Sequence, residues 1–165
     1  MASAEKNLST YNPENIPNAE FMKFGIVVSE YNEDITIPLL NGCMETLLAH
    51  KAKQDNIRVV YIPGAYELPS TADMMLRYYR IDAVICIGCV IKGETRHDEY
   101  INHAVAQGLI QVSLNHHIPV IFGLLTPNNR QQAMDRAGGK YGNKGVEAAA
   151  SAIKMAYINL KLSEK

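Results

Sequence analysis

Apolar residues along this chain fall into two kinds of run, and the two kinds alternate. KFGIVVS (23–29), IRVVYIP (57–63), DAVICIG (82–88) and PVIFGLL (119–125) are nearly unbroken, rich in Val and Ile, and short. Between them the apolar positions recur at helical spacing. From Asp34 onward the pairs Leu39/Leu40, Cys43/Met44 and Leu47/Leu48 repeat every four residues, which lines one face of a helix. Pro63-Gly64 breaks the second strand, and a helix follows through Met74, Met75 and Tyr78. A third helix starts near Arg96, carries the stripe Ile101, Ala104/Val105, Gly108/Leu109 and Val112, and ends before Pro119. Two more close the chain, around 129–136 and from Lys144 onward.

Strands that read as continuous Val/Ile runs and alternate with helices predict a parallel sheet covered on both faces. The expected fold is α/β: a three-layer α/β/α sandwich on a four-stranded parallel, flavodoxin-like sheet. Residues 1–20 form a Pro- and Asn-rich extended arm, the kind of terminus that is usually poorly ordered. Residues 21–165 read as one domain with no repeat, low-complexity segment or internal linker.

Composition narrows the function. With 165 residues, 47% of them apolar, and a net charge of −1, the chain can bury one sizeable core. It shows no basic stripe, which argues against a nucleic-acid partner and leaves small acidic ligands open. No apolar run is long enough for a membrane span, and MASAEKNLSTYNPENIPNAE is polar where a signal peptide needs an apolar core. The expectation is a soluble, cytoplasmic protein with no membrane partner. Three cysteines, an odd count in a chain of this size, fit a reducing compartment. Cys86 and Cys89 make a C-x-x-C, the spacing of a redox pair when it opens a helix. Here it lies inside AVICIGCVI, and the reading preferred is two buried strand thiols.

In open parallel sheets, ligands bind beyond the carboxyl ends of the strands, near the switch in strand order. That rule selects four loops, 29–32, 63–67, 89–97 and 125–130. The third begins as GCVIKGET, a Walker-like frame in which Glu94 stands where the lysine belongs. Without that lysine a nucleoside triphosphate site is rejected. Gly93-Glu94-Thr95 nevertheless lies between a strand end and a helix start, where free N–H groups and the helix dipole suit a single phosphate. His97 follows at the first turn, placed for proton transfer near neutral pH or simply solvated. Tyr31 is open to two readings, an aromatic for ligand stacking or a cap on the core edge. Glu67 is too, as a ligand group or a carboxylate favoured by the helix dipole. His50, His103, His116 and His117 have no carboxylate or cysteine partner at ligand spacing, and no metal site is expected.

IPGAYELP (62–69), GCVIKGETRH (88–97), PVIFGLLT (119–126) and DRAGGKYGNKGVEAA (135–149) together carry a resemblance. In that order they resemble the 6,7-dimethyl-8-ribityllumazine synthase family, from about Phe24 to Leu160. The resemblance implies a condensation of 5-amino-6-(D-ribitylamino)uracil with 3,4-dihydroxy-2-butanone 4-phosphate, the penultimate step of riboflavin biosynthesis, with no cofactor or metal. By motif match, Tyr31 stacks on the pyrimidine where the family usually has Phe or Trp. Ala65, Tyr66 and Glu67 hold the ribityl chain, and Cys89, Val90 and Ile91 present backbone groups to the ring. Glu94, through its N–H, Thr95 and Arg136 bind the phosphate, and His97 transfers protons. Phe122 closes over the pyrimidine from a neighbouring subunit, which also supplies Arg136. A ring of five is then the smallest active unit. The link AGGKYGNKG, free of insertion, points on to an icosahedral shell of twelve pentamers. The arm before Phe21 is a candidate to pair with a neighbour's sheet edge.

Two rivals remain. An FMN-binding, flavodoxin-like module needs a Ser/Thr/Gly-rich loop after the first strand, where this chain has SEYNED. A catalytically silent, shell-forming relative would have no use for His97 and Arg136, which are retained.

Overall fold

The Val/Ile runs become a parallel ladder. In the computed structural model, which describes residues 7–164, β1 (Phe24–Ser29), β2 (Ile57–Ile62), β3 (Ala83–Cys89) and β4 (Val120–Leu125) form one sheet in the order β2-β1-β3-β4. Every neighbouring pair is parallel. Each strand is followed by a helix: α1 (Glu33–Ala49), α2 (Leu68–Tyr78), α3 (His97–His116) and α4 (Arg130–Asp135). The chain then makes a small hairpin, β5 (Ala137–Gly139) and β6 (Gly142–Asn143), and ends in α5 (Lys144–Ser163). This is the three-layer α/β/α sandwich that the alternation predicts.

Successive strand side chains point to opposite faces, and the two cores divide accordingly. Phe24, Ile26, Val28, Ile85 and Ile87 pack with α1 and α5. Val27, Val84 and Cys86 pack with α2 and α3. The α1–α5 contact is close enough that a Cβ on Gly145 would run into the Leu39 carbonyl. On the other face His116 Nε2 lies 2.7 Å from Asp73 Oδ1. That hydrogen bond, with the nearby Arg77 guanidinium, holds the Asp73 carboxyl below its usual range. His116 thus has a carboxylate partner after all, from a position too distant in sequence for spacing to reveal, and the pair ties α2 to α3. Of the third helix's expected stripe, Val105 and Leu109 are buried while Ala104 is exposed.

Two features differ from the sequence reading or are absent from it. The β5–β6 hairpin has strands too short to show a period, and the hydrophobic pattern gives no sign of it. The residues of the arm that are described lie on their own chain. Ile16, Ala19 and Met22 are buried in the α1/α5 core, and Ala19 N–H donates to the His50 carbonyl at 2.9 Å. The Tyr11 hydroxyl sits 3.0 Å from His50 Nε2. Those apolar residues recur every third position, a stripe that the surrounding Pro and Asn obscure. Among the described residues no helix is long and apolar enough to cross a membrane.

Cys86 and Cys89 are both buried in β3, but three positions apart on a strand they face different cores. The redox-pair reading therefore falls. Burial pushes the Cys89 thiol up to about 11 and the Cys43 thiol up to about 12. Raised values leave almost no thiolate at pH 8, and the thiolate is the reactive form. A thiol-specific chromogenic reagent at pH 8 is expected to label none of the three cysteines in the native protein and all three in denaturant. Prompt native labelling would contradict the packing of β3 and α1.

Candidate active site

The order β2-β1-β3-β4 sends the chain from β1 to one side and brings it back on the other, so the connections that leave the carboxyl ends of the paired strands β1 and β3 diverge to opposite faces. A cleft of about 510 Å³ opens there. Its walls come from three of the four loops selected by sequence: Tyr31 and Asn32 after β1, residues 64–67 after β2, and residues 89–91 after β3, with His97 and Ile101 from α3 closing one side.

Backbone bonds hold these loops. Glu30 N–H donates to the Ile62 carbonyl at 2.8 Å and Tyr31 N–H to the Pro63 carbonyl at 3.2 Å, which joins the first two loops. Asn32 spans the gap to the third, its Nδ2 donating to the Cys89 carbonyl at 2.9 Å from a left-handed backbone (φ 59°). Tyr31 is 74% exposed, so its ring is presented to the cleft mouth and does not cap the core. Glu67 Oε2 accepts the Gly64 N–H at 3.1 Å, which closes the turn that carries Ala65 and Tyr66. Val90 N–H and Lys92 N–H are taken by the Leu125 and Pro127 carbonyls, both at 2.9 Å. In extended chain, backbone groups alternate sides, so those of Ile91 turn the other way, toward the cleft.

The anion position has mixed features. Residues 93–95 form an exposed irregular segment between Ile91 and His97, and Glu94 and Thr95 sit on the rim, outside the cavity lining. The N-terminus of α3 has no side-chain cap at Arg96. Its N–H groups and dipole favour an anion, although Asp98 and Glu99 occupy the first turn. Gly93 N–H leans toward Asp98 Oδ1 at 3.4 Å, and Arg96 is spent on Glu99 at 2.8 Å.

Phe122 and Arg136 are not in this cleft. Phe122 lies on the edge strand β4 and is 38% exposed. Arg136 lines a separate cavity of about 540 Å³ with Thr126, Pro127 and Tyr141. Its guanidinium is held from two sides: Nη1 donates to the Tyr141 carbonyl at 2.6 Å, and Nη2 pairs with the Glu147 carboxylate. Lys144 Nζ also reaches Glu147, at 3.3 Å. A third, smaller cleft of about 280 Å³ lies at the amino end of the sheet, beside Lys23, Arg58 and Tyr79, and holds none of the predicted residues. Among the described residues, no group of three or more His, Cys, Asp or Glu is gathered where a metal ion could be held.

Asn32 and Gly64 lie in loops that the sequence selected but are not singled out by it, and sequence reasoning missed Ile101 in the cleft and the Glu147 partner of Arg136. Asn32 carried a signal, since Asn before an acidic helical turn is a residue type that tolerates a left-handed start. Ile101 reads in sequence as part of the core stripe and is only half-buried.

The model for the family described as 6,7-dimethyl-8-ribityllumazine synthase matches residues 21–159. A protein of that name from Phocaeicola vulgatus is 50% identical over 164 residues, covering 99% of this chain and 98% of its own length. One from Cytophaga hutchinsonii is 53% identical over 155 residues, 94% of this chain and 97% of its own. Another, from Flavobacterium johnsoniae, is 49% identical over 163 residues, 99% of this chain and 86% of its own. A match of this extent and depth, over the segments that build the cleft, leaves one conclusion: the chain belongs to the 6,7-dimethyl-8-ribityllumazine synthase family.

Proposed function

We propose that this chain is a transferase that condenses 5-amino-6-(D-ribitylamino)uracil with 3,4-dihydroxy-2-butanone 4-phosphate to give 6,7-dimethyl-8-ribityllumazine. The observation that carries the reading is the convergence of Tyr31, the 65–67 turn, the 89–91 backbone and His97 on one cleft at the strand switch. The exposed Tyr31 ring offers a stacking surface to the pyrimidine. Ile91 offers it a donor and an acceptor, and the Ala65-Tyr66-Glu67 turn runs where a ribityl chain would lie.

The butanone phosphate takes its place with its phosphate at Gly93, Glu94 and Thr95. Glu94 contributes its N–H there and turns its carboxylate away. The 5-amino nitrogen attacks the ketone carbon, water leaves, and an imine forms. Loss of the C3 proton then expels inorganic phosphate from C4 and leaves an enol, which takes a proton at C4 and becomes a ketone at C3; the ribityl-bearing nitrogen attacks that new carbonyl and closes the ring with loss of another water. His97, on the cleft wall beside the phosphate position, moves protons in these steps. A donor within hydrogen-bonding reach of the reacting atoms is what such chemistry needs.

Among the described residues, the cleft lining includes no Lys or Arg, and Arg96 beside it is paired with Glu99. Phe122 and Arg136 lie away from their own cleft, which supports the reading that each completes a neighbour's. Apolar side chains left in solvent support association too: Ile110 and Leu114 on α3 are 55% and 61% exposed. Head-to-tail contacts of this kind close into rings when the rotation permits. The assembly read here is a ring of five, with twelve rings in an icosahedral shell because the link to α5 is a tight hairpin without insertion. We place the protein in the cytoplasm.

His97→Ala is expected to slow turnover by about ten- to a thousandfold without changing the melting temperature. Unchanged turnover would remove His97 from the chemistry. Arg136→Ala is expected to raise KM for the butanone phosphate about tenfold or more, the worth of one charge-assisted contact, with little effect on KM for the pyrimidine. An equal rise for both substrates would place Arg136 elsewhere. Light scattering on the purified protein is expected to give the mass of twelve pentamers. A single-pentamer mass would defeat the shell, and an active monomer would defeat the shared site.

A further inference from the structure

Arg136 is the last residue before a short hairpin, whose base is closed by Lys144 N–H donating to the Arg136 carbonyl at 2.9 Å and whose tip is held on one side by Tyr141 N–H donating to the Asp135 carbonyl at 2.8 Å. β5 and β6 are three and two residues long, and Gly138 and Gly142 both take positive φ, 108° and 85°. Yet the tip of this hairpin supplies the Tyr141 carbonyl to which Arg136 Nη1 donates. A guanidinium is oriented by the acceptors its planar fork can reach. With Glu147 on one side, the tip carbonyl on the other sets where the remaining N–H groups point.

On its other side the tip is held by the amino-terminal arm. Leu8 N–H donates to that same Tyr141 carbonyl at 3.2 Å, and Asn143 N–H donates to Ser9 Oγ at 3.1 Å. Ser9 is itself held, its hydroxyl donating to Asn7 Oδ1 at 2.8 Å and its N–H to the same oxygen at 3.0 Å. The fit is tight. A Cβ on Gly142 would run into both Asn7 Oδ1 and Ser9 Oγ, so only glycine lets the arm seat there. On the far side Asn143 Nδ2 donates to the Pro38 carbonyl of α1 at 2.9 Å, and its Oδ1 accepts the Gly145 N–H of α5 at 2.8 Å. Further along, burial of Ile16, Ala19 and Met22 anchors the arm to the core.

We propose that Asn7–Ser9 is a positioning strap for Arg136: it clamps the hairpin so that the Tyr141 carbonyl holds the guanidinium in its phosphate-binding orientation. The inference rests on the reading that Arg136 binds substrate phosphate. Without the strap, the tip shifts, Nη1 loses its acceptor, and the guanidinium swings onto Glu147. Leu8 and Ser9 touch no substrate. Their effect is carried by Tyr141 and Asn143.

The test is steady-state kinetics with both substrates on full-length Ser9→Ala, Leu8→Pro, which lacks the donating N–H, and the double variant, with Arg136→Ala and Ser9→Thr as controls. Inorganic phosphate serves as a competitive inhibitor throughout. The expected result for the double variant is a rise of about three- to tenfold in KM for the butanone phosphate and in the phosphate inhibition constant. KM for the pyrimidine and the melting temperature are expected to stay near the parent values, and Ser9→Thr, which keeps the hydroxyl, to behave as the parent. If Arg136→Ala raises the phosphate-linked constants while the double variant leaves them unchanged, the strap is wrong and the phosphate assignment stands. A parallel rise in both KM values would make the arm merely structural and overturn the strap as well. Should Arg136→Ala leave the phosphate constants unchanged, the phosphate assignment fails and the strap falls with it.

Discussion

Parallel pairing of β1 with both of its neighbours is the constraint from which the site follows. Parallel strands cannot be joined by tight turns, so each must be left by a helix crossing a face of the sheet. All four carboxyl ends therefore open at one edge. Because β2 and β3 lie on opposite sides of β1, the connections leaving β1 and β3 run over different faces and cannot fill the space between them. Asn32 marks the gap: it reaches from the start of α1 to the Cys89 carbonyl, bracing a cleft that backbone pairing alone leaves open.

The charges around the two cavities are arranged differently. On the rim of the cleft stand the N–H groups and dipole of the α3 start, with acidic side chains close by. At the second cavity a guanidinium is held between a carbonyl and a carboxylate. Fixed acceptors like these prevent a long cationic side chain from sampling many rotamers, which lowers the entropy cost of binding an anion. Glu147 reduces the net charge but supplies orientation. In the shared site proposed above, the dipoles of one and the restrained cation of the other would together grip a phosphate.

Most of the fold was legible because it is written in local periods. The four Val/Ile runs correspond to β1 to β4 within a residue or so at each end, and the paired apolar positions from Leu39 onward face the core as their spacing requires, except Leu48, which is exposed. Loops beyond the strand ends were legible for the same reason, which is why Tyr31, Glu67 and His97 could be brought to one rim from sequence alone. What escaped depends on contacts between distant positions. Asp73 meets His116 across two helices, and Arg136 meets Glu147 across a hairpin. The hairpin itself is too short to have a period, and the buried stripe of the arm is interrupted by Pro13, Pro17 and the four Asn residues from Asn7 to Asn18. Phe122 and Arg136 entered only through resemblance, since nothing in their local pattern distinguishes them from edge and loop residues.

One face of the sheet is closed by helices from the middle of the chain, and the other, covered first by α1, is completed only by the last helix. α2 and α3 leave the ribosome soon after the strands they cover. Ile85 and Ile87, beside α1, also rely on Ala149, Ala152, Ile153 and Ala156 of α5, which are made sixty or more residues after β3 by their numbering. During synthesis the nascent chain thus carries a half-dressed sheet, an exposed apolar surface of the kind that chaperones recognise. Translation speed across residues 90–145 sets how long that surface stays bare.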